Sequence, residues 1–168
     1  TMPMLKILIA EDEMRIAELI QQLGHWEELN IEVADICYDG LSALESIKEK
    51  KPDIVLTDIR MPVYDGLELI QKTIEMGIHA EFIILSGYRH FEYAKSAIQQ
   101  GVLDYLLKPI DEELLNQALM KACTRIQDKV NHDKKFGHER YSGGMWNRIL
   151  PDSYLRETGK EWGRAEEM

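Results

Sequence analysis

The sequence has little cysteine and lacks a long apolar run. Cys37 and Cys123 are its only cysteines in 168 residues and form no C-x-x-C pair, which disfavours a disulfide framework and a cysteine-based zinc site. The apolar stretch Leu5–Ala10 contains Lys6 and is followed directly by acids at 11–13, so it is neither a signal peptide nor a membrane span. We expect a soluble cytoplasmic protein with no membrane partner.

Acidic residues outnumber basic ones. The chain has 20 lysines and arginines against 30 acids, a net charge of −10. The residues through Arg125 carry all of this excess, because the 43 residues that follow contain 8 bases and 8 acids. Lysine and arginine supply most non-specific affinity for nucleic-acid phosphates. We therefore expect no direct DNA binding by this chain.

Five short apolar runs alternate with longer amphipathic stretches, a pattern typical of βα units around a parallel sheet. The runs are Leu5–Ala10, Ile31–Cys37, Ile54–Thr57, Phe82–Leu85 and Val102–Leu107. The second run carries Glu32 and Asp35, which suits an edge strand better than a central one. The sequence predicts an α/β fold with a five-stranded parallel sheet and helices on both faces.

The C-terminal part has a different character. A helix predicted from Asp111 onward carries an apolar stripe that continues past the expected end of the sheet. The stripe consists of Leu115, Leu119, Ala122, Ile126 and Val130. After about His132, glycines interrupt the periodicity while aromatic residues continue. We predict one domain over residues 4–125 and a helix extension with a tail over 126–168, the tail being either a loose end or a docking or dimer-forming segment.

Carboxylates follow two of the predicted strands at the point where each ends. Glu11 and Asp12 follow the first run, and Asp58 follows the third. Because ligands of such sheets sit outside the carboxyl ends of the strands, we expect these side chains to converge there. Close carboxylates repel one another unless a pKa rises or a cation binds. Oxygen ligands that leave open positions for phosphate favour Mg²⁺, so the sequence predicts a magnesium site.

The fourth and fifth runs add phosphate partners to the same edge. Ser86 and Gly87 offer a hydroxyl and an unhindered backbone amide, and Lys108 before Pro109 offers an ammonium. A carboxylate nucleophile at such an edge can form an aspartyl phosphate, and Asp58 is the best placed. Taken singly, these acids could be helix caps and the Ser-Gly pair a turn. Their joint occurrence at four strand ends favours a phosphoryl site.

The motifs at these strand ends resemble those of the receiver domain of two-component response regulators. The resemblance covers Met4 to Arg125, with four segments in the family's order and approximate spacing. They are Glu11-Asp12, Asp58-Ile59-Arg60-Met61-Pro62 with Asp65-Gly66, Ser86-Gly87-Tyr88, and Asp104-Tyr105-Leu106-Leu107-Lys108-Pro109. The resemblance implies a flavodoxin-like sheet in the strand order 2-1-3-4-5, which agrees with the second run at an edge.

The resemblance implies a magnesium-dependent phosphoacceptor. Asp58 would receive a phosphoryl group from a sensor histidine kinase. Asp12, Asp58 and the backbone carbonyl of Arg60 would hold Mg²⁺. Glu11, which stands where many members have Asp, would support the metal through water. Such a protein accepts a phosphoryl group and hydrolyses its own aspartyl phosphate, but it does not turn over an external substrate.

The resemblance also implies a switch. Ser86 and Lys108 would bind phosphate oxygens beside Gly87, and a cis peptide bond is expected before Pro109. Ser86 would move toward the phosphate and vacate space into which Tyr105 rotates. Alternatively, Tyr105 is a plain half-buried aromatic on an edge strand. The rotation would remodel the surface of the fourth helix, fifth strand and fifth helix, where a homodimer would form.

A second, narrower resemblance concerns the type of output domain that such a regulator carries. Residues 86–95, Ser-Gly-Tyr-Arg-His-Phe-Glu-Tyr-Ala-Lys, are similar to those of regulators that carry an AraC-type DNA-binding domain. The 43 residues after Arg125 are too few for that domain with its paired helix-turn-helix units, and Thr1 precedes Met2. We expect a truncated transcriptional regulator whose DNA-binding output domain is missing from this chain.

Three other kinds of protein share some of these features. A haloacid-dehalogenase-type phosphatase would carry a D-x-D motif, but Arg60 stands where the second acid belongs. A flavodoxin would have a hydroxyl-rich phosphate loop where acids 11–13 stand. A receiver-like protein-binding module independent of phosphorylation is the main alternative, because Glu11 and Arg60 leave room for it. The histidines, which show no metal-ligand spacing, are interpreted as surface or packing residues.

Overall fold

The computed structural model of the chain describes residues 4–87 and 91–136. Its elements in chain order are β1 (Leu5–Ala10), α1 (Met14–Leu23), α2 (Trp26–Leu29), β2 (Ile31–Cys37), α3 (Gly40–Lys50), β3 (Ile54–Asp58), α4 (Gly66–Glu75), β4 (Glu81–Ser86), α5 (Phe91–Gln99), β5 (Asp104–Leu107) and α6 (Glu112–Phe136). The strands form one parallel sheet in the order β2-β1-β3-β4-β5. The predicted fold class is therefore confirmed, with the acid-bearing β2 at an edge.

Three helices begin where the sequence supplies a capping carboxylate. Asp39 and Asp111 each accept a hydrogen bond from the backbone amide three residues later, at 2.7 and 2.9 Å. Asp65 and Glu68 form a reciprocal capping box at the start of α4. Each cap satisfies a backbone N–H that has no partner within its helix. The caps fix the first turns of α3, α4 and α6.

Helices cover the sheet on both faces. One face carries a core shared by β1, β3 and β4 with α3, α4 and α5. Members of this core that are at most 1% exposed include Leu8, Val55, Ile84, Ile47, Ile70 and Ala97. Because strand side chains alternate between faces, the buried Ile7 and Ile9 belong to the other face. There α1 and α6 bury Ile20, Leu115 and Leu119, and each such side chain contributes about 1.5–3 kcal/mol.

Three details differ from the sequence prediction. β5 begins at Asp104 rather than Val102, because the Val102 amide still donates to the Ala97 carbonyl of α5, at 3.2 Å. β3 and β4 each continue one residue further than predicted, so Asp58 and Ser86 are strand residues. The short helix α2 was not predicted. Because of it, α5 and α6 correspond to the fourth and fifth helices of the sequence analysis.

Contacts divide the chain into two units, residues 1–123 and 124–168. All candidate site residues belong to the first unit. The described part of the second unit, residues 124–136, is helical, as predicted for the helix extension. The tail, His138, and residues 88–90 of the AraC-like stretch lie outside the described residues. Among the helices that the structure does describe, none has the length and apolar character needed to cross a bilayer.

Candidate functional site

The first strand end places two neighbouring acids in different environments. Glu11 directly follows β1 and is 1% exposed, whereas Asp12 is exposed. Glu11 Oε2 accepts a hydrogen bond from the Glu13 amide at 3.0 Å, which turns the chain toward α1. Glu13 occupies the N-cap position of α1 and makes no side-chain capping bond. The alternative that Glu11 or Asp12 caps this helix is therefore wrong.

A buried ion pair joins the third and fifth strand ends. Asp58, the last residue of β3, is 6% exposed. Lys108 Nζ donates a hydrogen bond to Asp58 Oδ2 at 3.0 Å and lies 3.2 Å from Glu11 Oε1. The Lys108 backbone amide donates to the Ser86 carbonyl at 2.8 Å, and the expected cis bond before Pro109 is present. One ammonium therefore bridges carboxylates from two strands.

Burial and neighbouring charges shift the pKa of two groups at this edge, Glu11 and Lys108. Burial raises the pKa of Glu11 to about 8 and the charge of Asp58 adds to the shift, against the opposing hydrogen bond from Glu13 and charge of Lys108. Burial disfavours the Lys108 ammonium, but Asp58 and Glu11 outweigh it and raise the Lys108 pKa. Glu11 Oε1 is buried and receives no hydrogen bond from the described residues, and its contact there is the ion pair with the Lys108 ammonium at 3.2 Å.

The acids form a donor set that fits a hard cation. One oxygen each from Glu11, Asp12 and Asp58 lie within 4.8 Å of one another. Oxygen ligands of this kind are those that Mg²⁺ prefers, and the buried Glu11 oxygen that makes no hydrogen bond could accept one from a metal-bound water. Arg60 is exposed and, with Asp12, lines an open pocket of about 370 Å³. The residues present therefore fit a magnesium ion, while the role of the Arg60 carbonyl stays a prediction.

The predicted switch residues lie on β4 and β5 and just beyond β4. Ser86 is fully buried, and its Oγ donates to the Gly87 carbonyl at 3.3 Å. A Cβ placed on Gly87 would meet open space. Tyr105 is half-buried and packs against the core, and its hydroxyl is buried without a hydrogen-bond partner among the described residues. The structure thus shows Tyr105 as a half-buried edge-strand aromatic, and its rotation stays a prediction.

The sequence analysis assigned no role of their own to three residues that shape this edge. Thr57 is buried, and its hydroxyl donates to the Asp58 carbonyl at 2.9 Å. A Cβ on Gly66 would overlap that same carbonyl oxygen, so only glycine allows α4 to begin so close to Asp58. Gly40 contacts the loop that follows Asp58. The Asp-Gly pairs at 39–40 and 65–66 were the available signal, because each pairs a capping acid with a residue that tolerates close approach.

His25 lies on another surface of the same unit. Its Nε2 is 2.8 Å from Glu112 Oε2, and its backbone amide donates to Asn116 Oδ1 at 2.7 Å. Asn116 Nδ2 in turn donates to the Leu23 carbonyl at 2.9 Å. These bonds tie the end of α1 to α6, which agrees with the interpretation of His25 as a packing residue.

A family model described as the response regulator receiver domain matches residues 7–120. The chain belongs to the response regulator receiver domain family. The match extends from β1 into α6 and includes every candidate site residue. The resemblance inferred from the strand-end motifs is confirmed, and the phosphatase and flavodoxin interpretations are set aside.

The receiver domain is similar to transcriptional regulators. It is 38% identical over 152 residues to the uncharacterized transcriptional regulatory protein YesN of Bacillus subtilis, covering 90% of this chain and 41% of YesN. The REC domain of AraT, a response regulator from Geobacillus stearothermophilus, superposes with a TM-score of 0.71 at 36% identity, covering 75% of this chain and 98% of that domain.

A two component transcriptional regulator AraC from Clostridium phytofermentans gives a TM-score of 0.66 at 32% identity, covering 71% of this chain and 93% of that one. The similarity to receivers of AraC-type regulators is therefore confirmed. The chain spans between 41% and 51% of the length of the curated relatives it matches.

Proposed function

We propose that this receiver domain accepts a phosphoryl group on Asp58 from a sensor histidine kinase in a magnesium-dependent reaction. The observation that carries the proposal is the Lys108 ammonium, which lies 3.0 Å from Asp58 Oδ2 and 3.2 Å from Glu11 Oε1. It holds the nucleophile at an edge where Asp12 adds a third carboxylate. Such preorganised charge stabilises phosphoryl transfer.

The chemistry follows from the groups at this edge. A carboxylate oxygen of Asp58 attacks the phosphorus of the kinase phosphohistidine, so a P–O bond forms while the P–N bond breaks and the imidazole leaves with the electron pair. Lys108 stays beside Asp58 and neutralises charge on the transferred group. The Ser86 hydroxyl, now bonded to the Gly87 carbonyl, can donate to a phosphate oxygen instead. Asp12, Asp58 and the Arg60 carbonyl would hold Mg²⁺, with Glu11 behind a water, and the ion would supply the remaining positive charge.

Phosphorylation at Asp58 would bias a surface formed by α5, β5 and α6. Ser86 moves toward the phosphate and Tyr105 takes up the vacated space, which is a population shift between two states. Leu107 and Leu114 are each 53% exposed on β5 and α6. They give this surface apolar contacts for a homodimer.

The proposed output is transcriptional. The curated relatives are transcriptional regulators, and the match covers only 41% and 51% of their length, which supports a DNA-binding output domain following the receiver. The receiver would occupy residues 4–125, and the extension over 126–168 would lead toward that domain in a cytoplasmic regulator. The receiver itself accepts the phosphoryl group and later hydrolyses it, and does not turn over an external substrate.

One observation favours a second candidate, a protein-binding module that works without phosphorylation. Burial raises the pKa of Glu11 to about 8, which favours a bound proton on this carboxyl when no cation is bound. Metal binding must then displace a proton, which weakens Mg²⁺ binding in neutral solution.

Intact mass after incubation with acetyl phosphate and Mg²⁺ separates the two candidates. The wild-type receiver gains the mass of one phosphoryl group, and this gain is labile, whereas Asp58→Asn gains nothing. Asp111→Asn is the matched control, because its side chain caps α6 away from the charged cluster and asparagine caps equally well. Normal Mg²⁺ binding without any mass gain, from acetyl phosphate or a histidine kinase, would support the binding module.

A further inference from the structure

The loop between β3 and α4, residues 59–65, contains an unfavourable backbone conformation. The Gly66 amide donates to the Ile59 carbonyl at 2.6 Å, and the Tyr64 amide donates to the Pro62 carbonyl at 3.0 Å. Val63 has a φ of 71°, in the left-handed region that β-branched residues rarely adopt. A conformation of this kind persists only where surrounding contacts impose it.

The first residue of α3 supplies such a contact. The Gly40 amide donates to the Pro62 carbonyl at 3.0 Å. A Cβ on Gly40 would overlap the Tyr64 carbonyl oxygen and lie 2.5 Å from Tyr64 Cβ. Only a residue without a side chain lets the α3 backbone approach this loop so closely, so the steric contact requires glycine at this position.

α3 itself is anchored at both ends. Asp39 accepts hydrogen bonds from the Ser42 amide and hydroxyl at 2.7 and 2.9 Å. Nearer the other end, Asp35 of β2 accepts a hydrogen bond from Ser46 at 2.6 Å and pairs with Lys50 at 3.3 Å. Gly40 therefore contacts the 59–65 loop from a helix that hydrogen bonds anchor near both ends, with the second anchor on β2.

We propose that Gly40 is a positioning residue for the predicted magnesium site. It fixes the loop that carries the Arg60 carbonyl next to Asp58. The proposal rests on the proposed function, in which that carbonyl is a magnesium ligand. A metal ligand on a loose loop must be ordered on binding, so a loop that is already fixed binds the ion more tightly. Gly40 touches neither the acids nor the phosphoryl group; it acts through the 59–65 loop.

The first test uses the unmodified chain. Coupling between two sites is reciprocal, so if the Gly40–Pro62 hydrogen bond favours Mg²⁺ binding, Mg²⁺ must strengthen that bond. Amide hydrogen exchange followed by NMR should therefore slow several-fold at Gly40 when Mg²⁺ alone is added. The Gly24 amide, which donates to the Ile20 carbonyl at 3.0 Å, is the internal reference and should not change.

The second test uses Gly40→Ala with Gly24→Ala as its matched control. An added methyl at Gly24 would overlap the Trp26 ring, so both variants introduce a clash, but only Gly40 touches the loop. Titration with Mg²⁺ by calorimetry should give Gly40→Ala a dissociation constant raised about 5-fold or more, and Gly24→Ala an unchanged one. At saturating Mg²⁺, the phosphorylation rate of Gly40→Ala should approach that of wild type, because the acids and Lys108 are intact.

The outcomes separate this proposal from the proposed function. A wild type that binds no Mg²⁺ and takes no phosphoryl group would overturn the function and the positioning role with it. A wild type that binds Mg²⁺ without slowing Gly40 exchange would overturn the positioning role alone, even if Gly40→Ala fails to fold. Equal Mg²⁺ affinity in folded Gly40→Ala and wild type would do the same.

Discussion

Two charged clusters in the receiver domain use the same chemical groups with opposite results. In the β2–α3 cluster, Asp35 Oδ2 accepts from Ser46 at 2.6 Å and pairs with Lys50 at 3.3 Å, while Oδ1 accepts from the Ile36 amide at 2.8 Å. Burial works against the Asp35 carboxylate, but these hydrogen bonds outweigh it and lower its pKa. Both oxygens are satisfied by the protein.

The strand-end cluster is the opposite case. Glu11 is more deeply buried than Asp35, its Oε1 has no hydrogen bond from the described residues, and burial raises its pKa to about 8. Lys108 faces both Glu11 and Asp58 and cannot satisfy them equally. The β2–α3 cluster satisfies both oxygens of its carboxylate, whereas among the described residues Glu11 keeps one buried oxygen without a hydrogen bond and a raised pKa, a pattern common at functional sites.

Replacing the lysine of the strand-end cluster should separate the two clusters most clearly. Lys108→Ala leaves the two buried carboxylates facing each other and removes the charge next to the transferred group, so the phosphorylation rate with acetyl phosphate should fall by about 100-fold or more. Lys50→Ala, the equivalent change in the β2–α3 cluster, should leave that rate unchanged. A comparable loss in both variants would mean that stability, and not site charge, controls the rate.

Removing the acceptor of the β2–α3 cluster should affect folding instead. Asp35→Ala removes the hydrogen-bond acceptor of the buried Ser46 hydroxyl and the ion-pair partner of Lys50, which keeps its bond to the Ala34 carbonyl, and should lower the free energy of unfolding by about 1–3 kcal/mol. Urea denaturation measures this loss. Phosphorylation at saturating Mg²⁺ should stay within experimental error of wild type, and a rate loss there would contradict the separation of the two clusters.

Per unit of pH, the smallest expected effect is a pair of opposite slopes in the free energy of unfolding. The pKa of Asp35 is lowered on folding, so its contribution to stability is present above the unfolded value of 3.8 and is lost as pH falls through the folded pKa. The pKa of Glu11 rises from 4.5 to about 8, so the folded state holds the extra proton and stability falls as pH increases across that window.

Urea midpoints measured from pH 3 to 9 without Mg²⁺ should show both slopes. One proton gives at most about 1.4 kcal/mol per pH unit. Asp35→Asn should flatten only the acid slope, and Glu11→Gln only the slope between pH 4.5 and 8. An unchanged neutral slope in Glu11→Gln would show that another group binds the extra proton.

Local sequence patterns predicted the fold and which side chains lie together at the candidate site. The apolar runs predicted all five strands, because a strand buried on both faces needs a near-continuous apolar stretch. The placement of Asp58 and Lys108 followed from the same reasoning, since each directly ends or follows a strand. The start of β5 and the helix α2 were missed, because Val102 is held back by a bond to α5 and α2 has only four residues.

Strand positions read from the sequence indicate which groups meet at the site, because the carboxyl ends of parallel strands share one edge whatever the loops between them do. The environment of each group there depends on tertiary packing. It buries Glu11 and exposes its neighbour Asp12, and it brings Gly40 against Pro62. Burial and contacts between distant segments depend on how helices pack over the sheet, and local spacing does not fix that packing.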